Sequence, residues 1–250
     1  MRIIAMHKES RNDGAGHPPS PEMIGRMGQL VGSMMQRGTL VTTDGLCPSS
    51  EGARLRFAKG KLTVTPGPLE GENELISGFG ILRVRNLEEA IEWSTRFAGT
   101  IGDCVIDVRP VSEPWDLGAS PKPDGITTRR YMAARKADAG SESGSPPSPE
   151  AMARTEALLQ EMRKKGVLVA SIGMAPSSQG ARVRFANGKR AVMDGPFAES
   201  KELIAGFAVL EAPTVADAIV LSAEFASIIG DVEIDFLPIV AMEAHQEERP

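Results

Sequence analysis

Apolar positions along the chain alternate between strand-like and helix-like spacing, and the whole succession occurs twice. Short apolar runs over residues 3–6 and 131–134 predict strands, and polar stretches follow them, as at residues 138–145. Met23, Met27, Leu30, Val31 and Met34 recur at helical spacing and predict an amphipathic helix. Ser20 and Ser148 stand where that helix and its second copy need a cap, each with proline next and glutamate behind it. Gly38 and Gly166 suit the ends of these helices. Strands are predicted next over residues 40–43 and 167–170, then a hairpin across 54–57 and 61–64 that turns at Asn187-Gly188 in its second copy. Further strands are predicted over 76–84 and 204–210. Leu87, Ala90, Ile91 and Ser94 mark a second helix, with Asn86 and Glu89 at capping-box spacing. In the last strand Val232, Ile234 and Phe236 alternate with Glu233 and Asp235.

The two passes share one register. An offset of 128 residues lays Pro18-Pro19-Ser20-Pro21-Glu22 on Pro146-Pro147-Ser148-Pro149-Glu150 and Gly67-Pro68 on Gly195-Pro196. The same offset lays Arg54 and Arg56 on Arg182 and Arg184, Glu74 on Glu202, and Gly102-Asp103 on Gly230-Asp231. Residues 112–124 hold Pro114, Gly118, Pro121 and Pro123 without apolar periodicity and read as a linker. The expected organisation is a first repeat over 1–111, a linker over 112–128, a second repeat over 129–240 and a tail over 241–250. Strand, helix, strands, helix, strand is the ferredoxin-like split βαβ plan with an added hairpin, so the expected class is α+β. Helices cover one face of such a sheet, and the tandem copy is expected to bury the other.

Asp194-Gly195-Pro196-Phe197-Ala198-Glu199, followed by Lys201-Glu202 and Gly206-Phe207, resembles the signature of the DGPF branch of the YCII-related family. The resemblance spans both repeats and implies a dimeric α/β barrel, here pseudo-dimeric because both modules lie in one chain. It implies a small-molecule binder or enzyme, and some relatives' genes neighbour alternative sigma factors. The first repeat departs from the signature, with Thr65-Pro66-Gly67-Pro68-Leu69 in place of Met193-Asp194-Gly195-Pro196-Phe197.

The length of 250 residues accommodates two modules. The opening residues turn polar too early for a secretory signal and no stretch is apolar enough to span a membrane, so a cytoplasmic protein is expected. A net charge of −5 and a pI near 5.4 argue against nucleic-acid binding. Cys47 and Cys104 form no CxxC pair, and His7, His17 and His245 are far apart, so neither a metal nor another cofactor is expected.

Asp194 is the sharpest catalytic candidate: a carboxylate on a rigid turn beside an apolar cleft is suited to proton exchange. Its bland alternative is a turn-forming aspartate. Arg54 and Arg56, like Arg182 and Arg184, stand two apart and so share a strand face. Four such guanidinium groups meeting across a pseudo-twofold axis would suit an anionic small molecule, against the alternative of a solvated face. Tyr131 and His7, on first strands, are candidates to look into the cleft. Two functions follow: a small-molecule-binding protein with proton-transfer chemistry near Asp194, or a non-catalytic regulatory or interaction module with a protein partner such as an alternative sigma factor. Further oligomerisation through sheet edges is left open.

Overall fold

A computed structural model of the chain describes residues 1–9, 20–197 and 200–244. Pro18, Pro19, His17 and His245 from the motifs above, and Ala198 and Glu199 of the hexapeptide, lie outside the described residues. The chain runs β1 (Arg2–Lys8), α1 (Pro21–Gln36), β2 (Leu40–Gly45), β3 (Ala53–Ala58), β4 (Lys61–Pro66), β5 (Ile76–Val84), α2 (Leu87–Ile101) and β6 (Cys104–Pro110). It continues through β7 (Arg129–Lys136), α3 (Ala139–Glu142), α4 (Pro149–Lys164), β8 (Leu168–Met174), β9 (Ala181–Ala186), β10 (Lys189–Asp194), β11 (Ile204–Glu211), α5 (Val215–Leu221), α6 (Ala223–Ile229) and β12 (Val232–Ala244).

The local signals act as expected at most boundaries. Ser20 and Ser148 side chains accept from the amides of Met23 and Ala151, both at 3.2 Å, and Gly38 and Gly166 follow the helix ends at φ of 69° and 68°. Asn86 caps α2 through the Glu89 amide at 3.0 Å, while the Glu89 carboxylate takes the Arg85 amide, one residue before the capping-box position. The polar stretch at 138–145 is not all loop, because Asp138 and Ser141 form a reciprocal cap that starts the single turn of α3.

The twelve strands pair antiparallel into one large sheet, and the two repeats are interleaved within it. β1 of the first repeat lies between β11 and β12 of the second, and β2 pairs the outer side of β11. Reciprocally, β7 of the second repeat lies between β5 and β6 of the first, and β8 pairs β5. The expectation that each repeat folds its own sheet is therefore corrected. The physical reason lies in the linker, which joins β6 to β7: consecutive antiparallel strands become neighbours in one sheet most simply when the chain turns straight back. That return is pinned, since Arg130 binds Glu113 at 2.8 and 3.0 Å and Asp44 at 3.0 Å, and Arg129 binds Asp116 at 2.8 Å.

Burial follows the pairing and gives three cores. Ile3, Ala5, Val183, Ile234 and Phe236 pack beneath α1, α5 and α6. Leu55, Leu82, Ile106 and Leu168 pack beneath α2 and α4 with Trp93, Leu158 and Met162. Between the two halves of the sheet, Ile4, Met6, Phe79, Met132, Phe207 and Leu237 form the middle core, where the Phe79 and Phe207 rings stand 4.7 Å apart. Two contacts tie the halves at repeat-equivalent places: β12 continues past Ile239 onto β8 at Met174, and Leu46 bridges to Val111. Among the described residues no helix is long and apolar enough to cross a membrane.

Candidate functional site

Strand alternation brings charged side chains onto the face between the sheet halves. Arg54 on β3 lies opposite Asp107 on β6, and two parallel hydrogen bonds of 2.7 and 2.8 Å join them. Arg54 also meets Glu74 at 3.1 Å, and Lys136 from β7 binds both Glu74 and, at 2.8 Å, Asp107. All four side chains are buried. The same arrangement recurs 128 residues on: Arg182 grips Asp235 at 2.6 and 2.9 Å, and Lys8 reaches Asp235 at 2.9 Å. Each cluster thus contains a lysine from the other repeat. Burial alone would raise the carboxyl groups of Asp107 and Asp235; the paired arginine and lysine overcome it and hold both below the ordinary aspartate range.

The first cluster is internally matched, with two cations to two carboxylates, and the room beside it is small. A chamber of about 20 Å³ opens between Glu74, Asp107, Arg109, Lys136 and apolar neighbours, space for roughly one water molecule. Arg109, buried, donates to the carbonyls of Ile204 and Cys47 at 2.6 Å each and to Glu9 at 2.9 Å. Its repeat-equivalent position is Leu237, so only one half carries this arginine.

A much larger cavity, about 360 Å³, lies between the β5–β7–β8 region and helices α2 and α4. Small residues make its floor: Gly78 and Gly80 on β5, Ala133 on β7, Ser171 and Gly173 on β8. Trp93, Phe97, Leu159 and Met162 form its helical wall. Arg135, Glu156, Arg163 and Glu243 supply the charge around it. Arg163 is paired with both Glu156 and Glu243, and Arg135 donates through Nη2 to Asp138 at 2.7 Å. Arg135 Nε is buried with no hydrogen-bond partner among the described residues. The other half differs at these places. His7 stands at the position of Arg135, with its ring 5.1 Å from Phe225, and Met27, Gly28 and Met35 stand where Thr155, Glu156 and Arg163 do. Burial lowers the His7 imidazole to about 4.

The sequence candidates are dispersed rather than gathered. Asp194 is exposed at the end of β10 and lines neither cavity. In its motif, Gly195 is required by close approach, because a Cβ there would stand 1.7 Å from the Ser177 carbonyl oxygen. Phe197 is buried in the middle core under the Arg182 guanidinium, 4.6 Å from the ring centre. Arg54 and Arg182 sit in separate buried clusters, whereas Arg56 and Arg184 are outside: Arg56 pairs with exposed Glu72 at 2.8 Å. The four arginines therefore do not converge. Tyr131 is buried beneath α2, its hydroxyl group pushed up by burial, and lines neither cavity. Lys8, Lys136, Asp107, Arg109 and Arg135 escaped sequence reasoning. The signal for the first three was present, as a charge repeated at the 128-residue offset inside otherwise apolar strands.

Residues 130–226 match the family model of the YCII-related domain. The matched segment contributes β7 and β8 to one half of the sheet and β9, β10 and β11 to the other. No curated protein and no solved structure matches the chain.

Proposed function

We propose that the protein binds a small, largely apolar molecule in the cavity beneath α2 and α4. The observation that carries this reading is the cavity itself: about 360 Å³, with small residues in its floor, an apolar helical wall and charge confined to a few side chains. Ligand sites typically enclose about 300–1,000 Å³ with that distribution of lining groups. Two YCII-like repeats, over 1–111 and 129–240, form its frame on this reading. They pair about a pseudo-twofold axis into a barrel, a reading supported by the equivalent Met174–Ile239 and Leu46–Val111 contacts. Proton-transfer chemistry at Asp194 has less support, because that carboxylate faces solvent outside both cavities.

The test is a thermal-shift screen of metabolite-sized compounds against the wild type, Asp194→Asn and Ala133→Leu, the last placing a larger side chain in the cavity floor. A ligand at 100 times its Kd adds about 2.7 kcal/mol, a rise of roughly 5–11 °C in Tm for a chain of this size. Hits retained in Asp194→Asn and lost in Ala133→Leu are expected. Hits that survive Ala133→Leu would move the site elsewhere. A second reading, a protein-interaction module, draws on the exposed apolar residues of the outer strand β10, Val192 and Met193. It predicts that charged substitutions there abolish capture of a partner while leaving the screen unchanged.

A further inference from the structure

We infer that the ligand of this cavity is an apolar monocarboxylate, a single-ring or medium-chain acid whose carboxylate accepts from Arg135. The inference rests on the small-molecule reading above and goes beyond it by assigning the ligand's class. Its starting point is a donor without an acceptor. Arg135 lines the cavity, and its Nε is buried with no hydrogen-bond partner among the described residues. A buried donor left unsatisfied is destabilising, the more so when it is part of a charged side chain.

The neighbouring polar groups do not make the same demand. Ser94 donates to the Ala90 carbonyl at 2.7 Å, and Thr155 shares a hydrogen bond of 2.8 Å with Thr100. Glu156 and Glu243 are both held by Arg163. A cationic ligand would have to break that pairing, whereas an anion at Arg135 breaks none. Because Nη2 already serves Asp138, the site favours one carboxylate over a phosphate, whose second charge would face Glu156 and Glu243, and their cation, Arg163, is already shared between them. The apolar body follows from the lining: glycine at 80, where an added Cβ would already touch Leu168 and Leu82 at 3.4 and 3.7 Å, leaves room in front of the sheet, and Trp93, Phe97, Leu159 and Met162 face it. In the other half the equivalent of Arg135 is His7, packed on Phe225, so the acceptor requirement belongs to one half only.

Octanoate, 1-octanol and octylamine share a chain and differ in the head group, which makes them suitable probes for calorimetric titration of the full chain. In the wild type, octanoate is expected to bind at least about ten-fold more tightly than octanol, the ratio for one charge-assisted hydrogen bond of about 1.5 kcal/mol or more. Arg135→Met is expected to remove that advantage, bringing octanoate down to the affinity of octanol or below it, and Ala133→Leu to weaken both. If octanol or octylamine binds the wild type as well as octanoate does, the carboxylate assignment is overturned and the small-molecule reading stands. If octanoate keeps its advantage in Arg135→Met, the carboxylate lies elsewhere. If none of the three binds the wild type, the inference and the reading beneath it fail together. The wild-type comparison needs no variant, so it decides the matter even if Arg135→Met does not fold.

Discussion

Lys136→Met is the sharpest available test of the buried charge clusters. Its cluster holds two cations, Arg54 and Lys136, against two carboxylates, Glu74 and Asp107, with all four side chains buried. Methionine keeps the length and removes the charge, leaving two buried carboxylates to one guanidinium. Removing one partner of a buried pair costs about 3–5 kcal/mol. The lower end applies here, because Arg54 retains its two-pronged hold on Asp107. About 3 kcal/mol corresponds to a fall in Tm of roughly 6–12 °C. Asp107 sets the pH dependence. Its folded carboxyl is held below the ordinary value of about 3.9, so its contribution is present above that pH and lost as acid takes the folded carboxyl through its own, lower value. Without Lys136 that depression shrinks, and acid unfolding begins at higher pH. Urea unfolding at pH 7 and an acid titration, both followed by far-UV circular dichroism, measure the two effects. Glu74→Gln restores the charge balance in the same background, so the double variant is expected to be more stable than the additive sum by about 1–3 kcal/mol. A cost below about 1 kcal/mol for Lys136→Met, or strict additivity with Glu74→Gln, would refute the argument that the cluster acts as one balanced unit.

Two other expectations follow from features described above. The His7 imidazole is lowered to about 4 in the fold, so the unfolded chain takes up the proton first as pH falls from about 6.5. The wild type should lose as much as about 3 kcal/mol between about pH 6.5 and 4, and His7→Phe should flatten that part of a stability–pH profile. A protease site placed in the 117–125 segment should yield two fragments that co-elute at the mass of the intact chain on size exclusion, because β7 is held between β5 and β6 and β1 between β11 and β12. Dissociation under native conditions would contradict that interleaving.

The elements themselves were legible because their causes are local. Apolar spacing, the Ser20 and Ser148 caps and the glycines at 38 and 166 mark boundaries within a few residues of where they fall. The single turn of α3 was missed because its four residues are too short for periodicity and depend on a reciprocal cap. Partner choice was not legible, because β1 and β7 carry equivalent patterns and either satisfies the same sheet; the connection through the linker breaks the tie. The arginines show the same limit. Spacing put Arg54 and Arg56 on one face, but the non-local register of β3 with β6 decides that one meets Asp107 and the other reaches solvent-exposed Glu72. Asp194 drew attention as the reactive member of its motif, whereas Gly195 and Phe197 do the packing. The large cavity left no sequence signal beyond small residues on β5 and β8, since an empty space is defined by what surrounds it.

The interleaving also orders events while the chain is being made. Residues 53–174 contain every strand of one half of the sheet in an unbroken stretch, so that half can close before synthesis ends. β1 and β2 emerge first, yet their final partners, β11 and β12, emerge last. At about 5–20 residues per second that delay is on the order of 10–40 s. Within it, between the making of β6 and of β7, β5 and β6 offer β1 the place that β7 then takes. A pairing of β1 with β5 and β6 formed in that interval would have to give way before β7 docks, so slower translation across the linker is expected to favour it, which a pulse-chase of nascent chains by limited proteolysis would reveal.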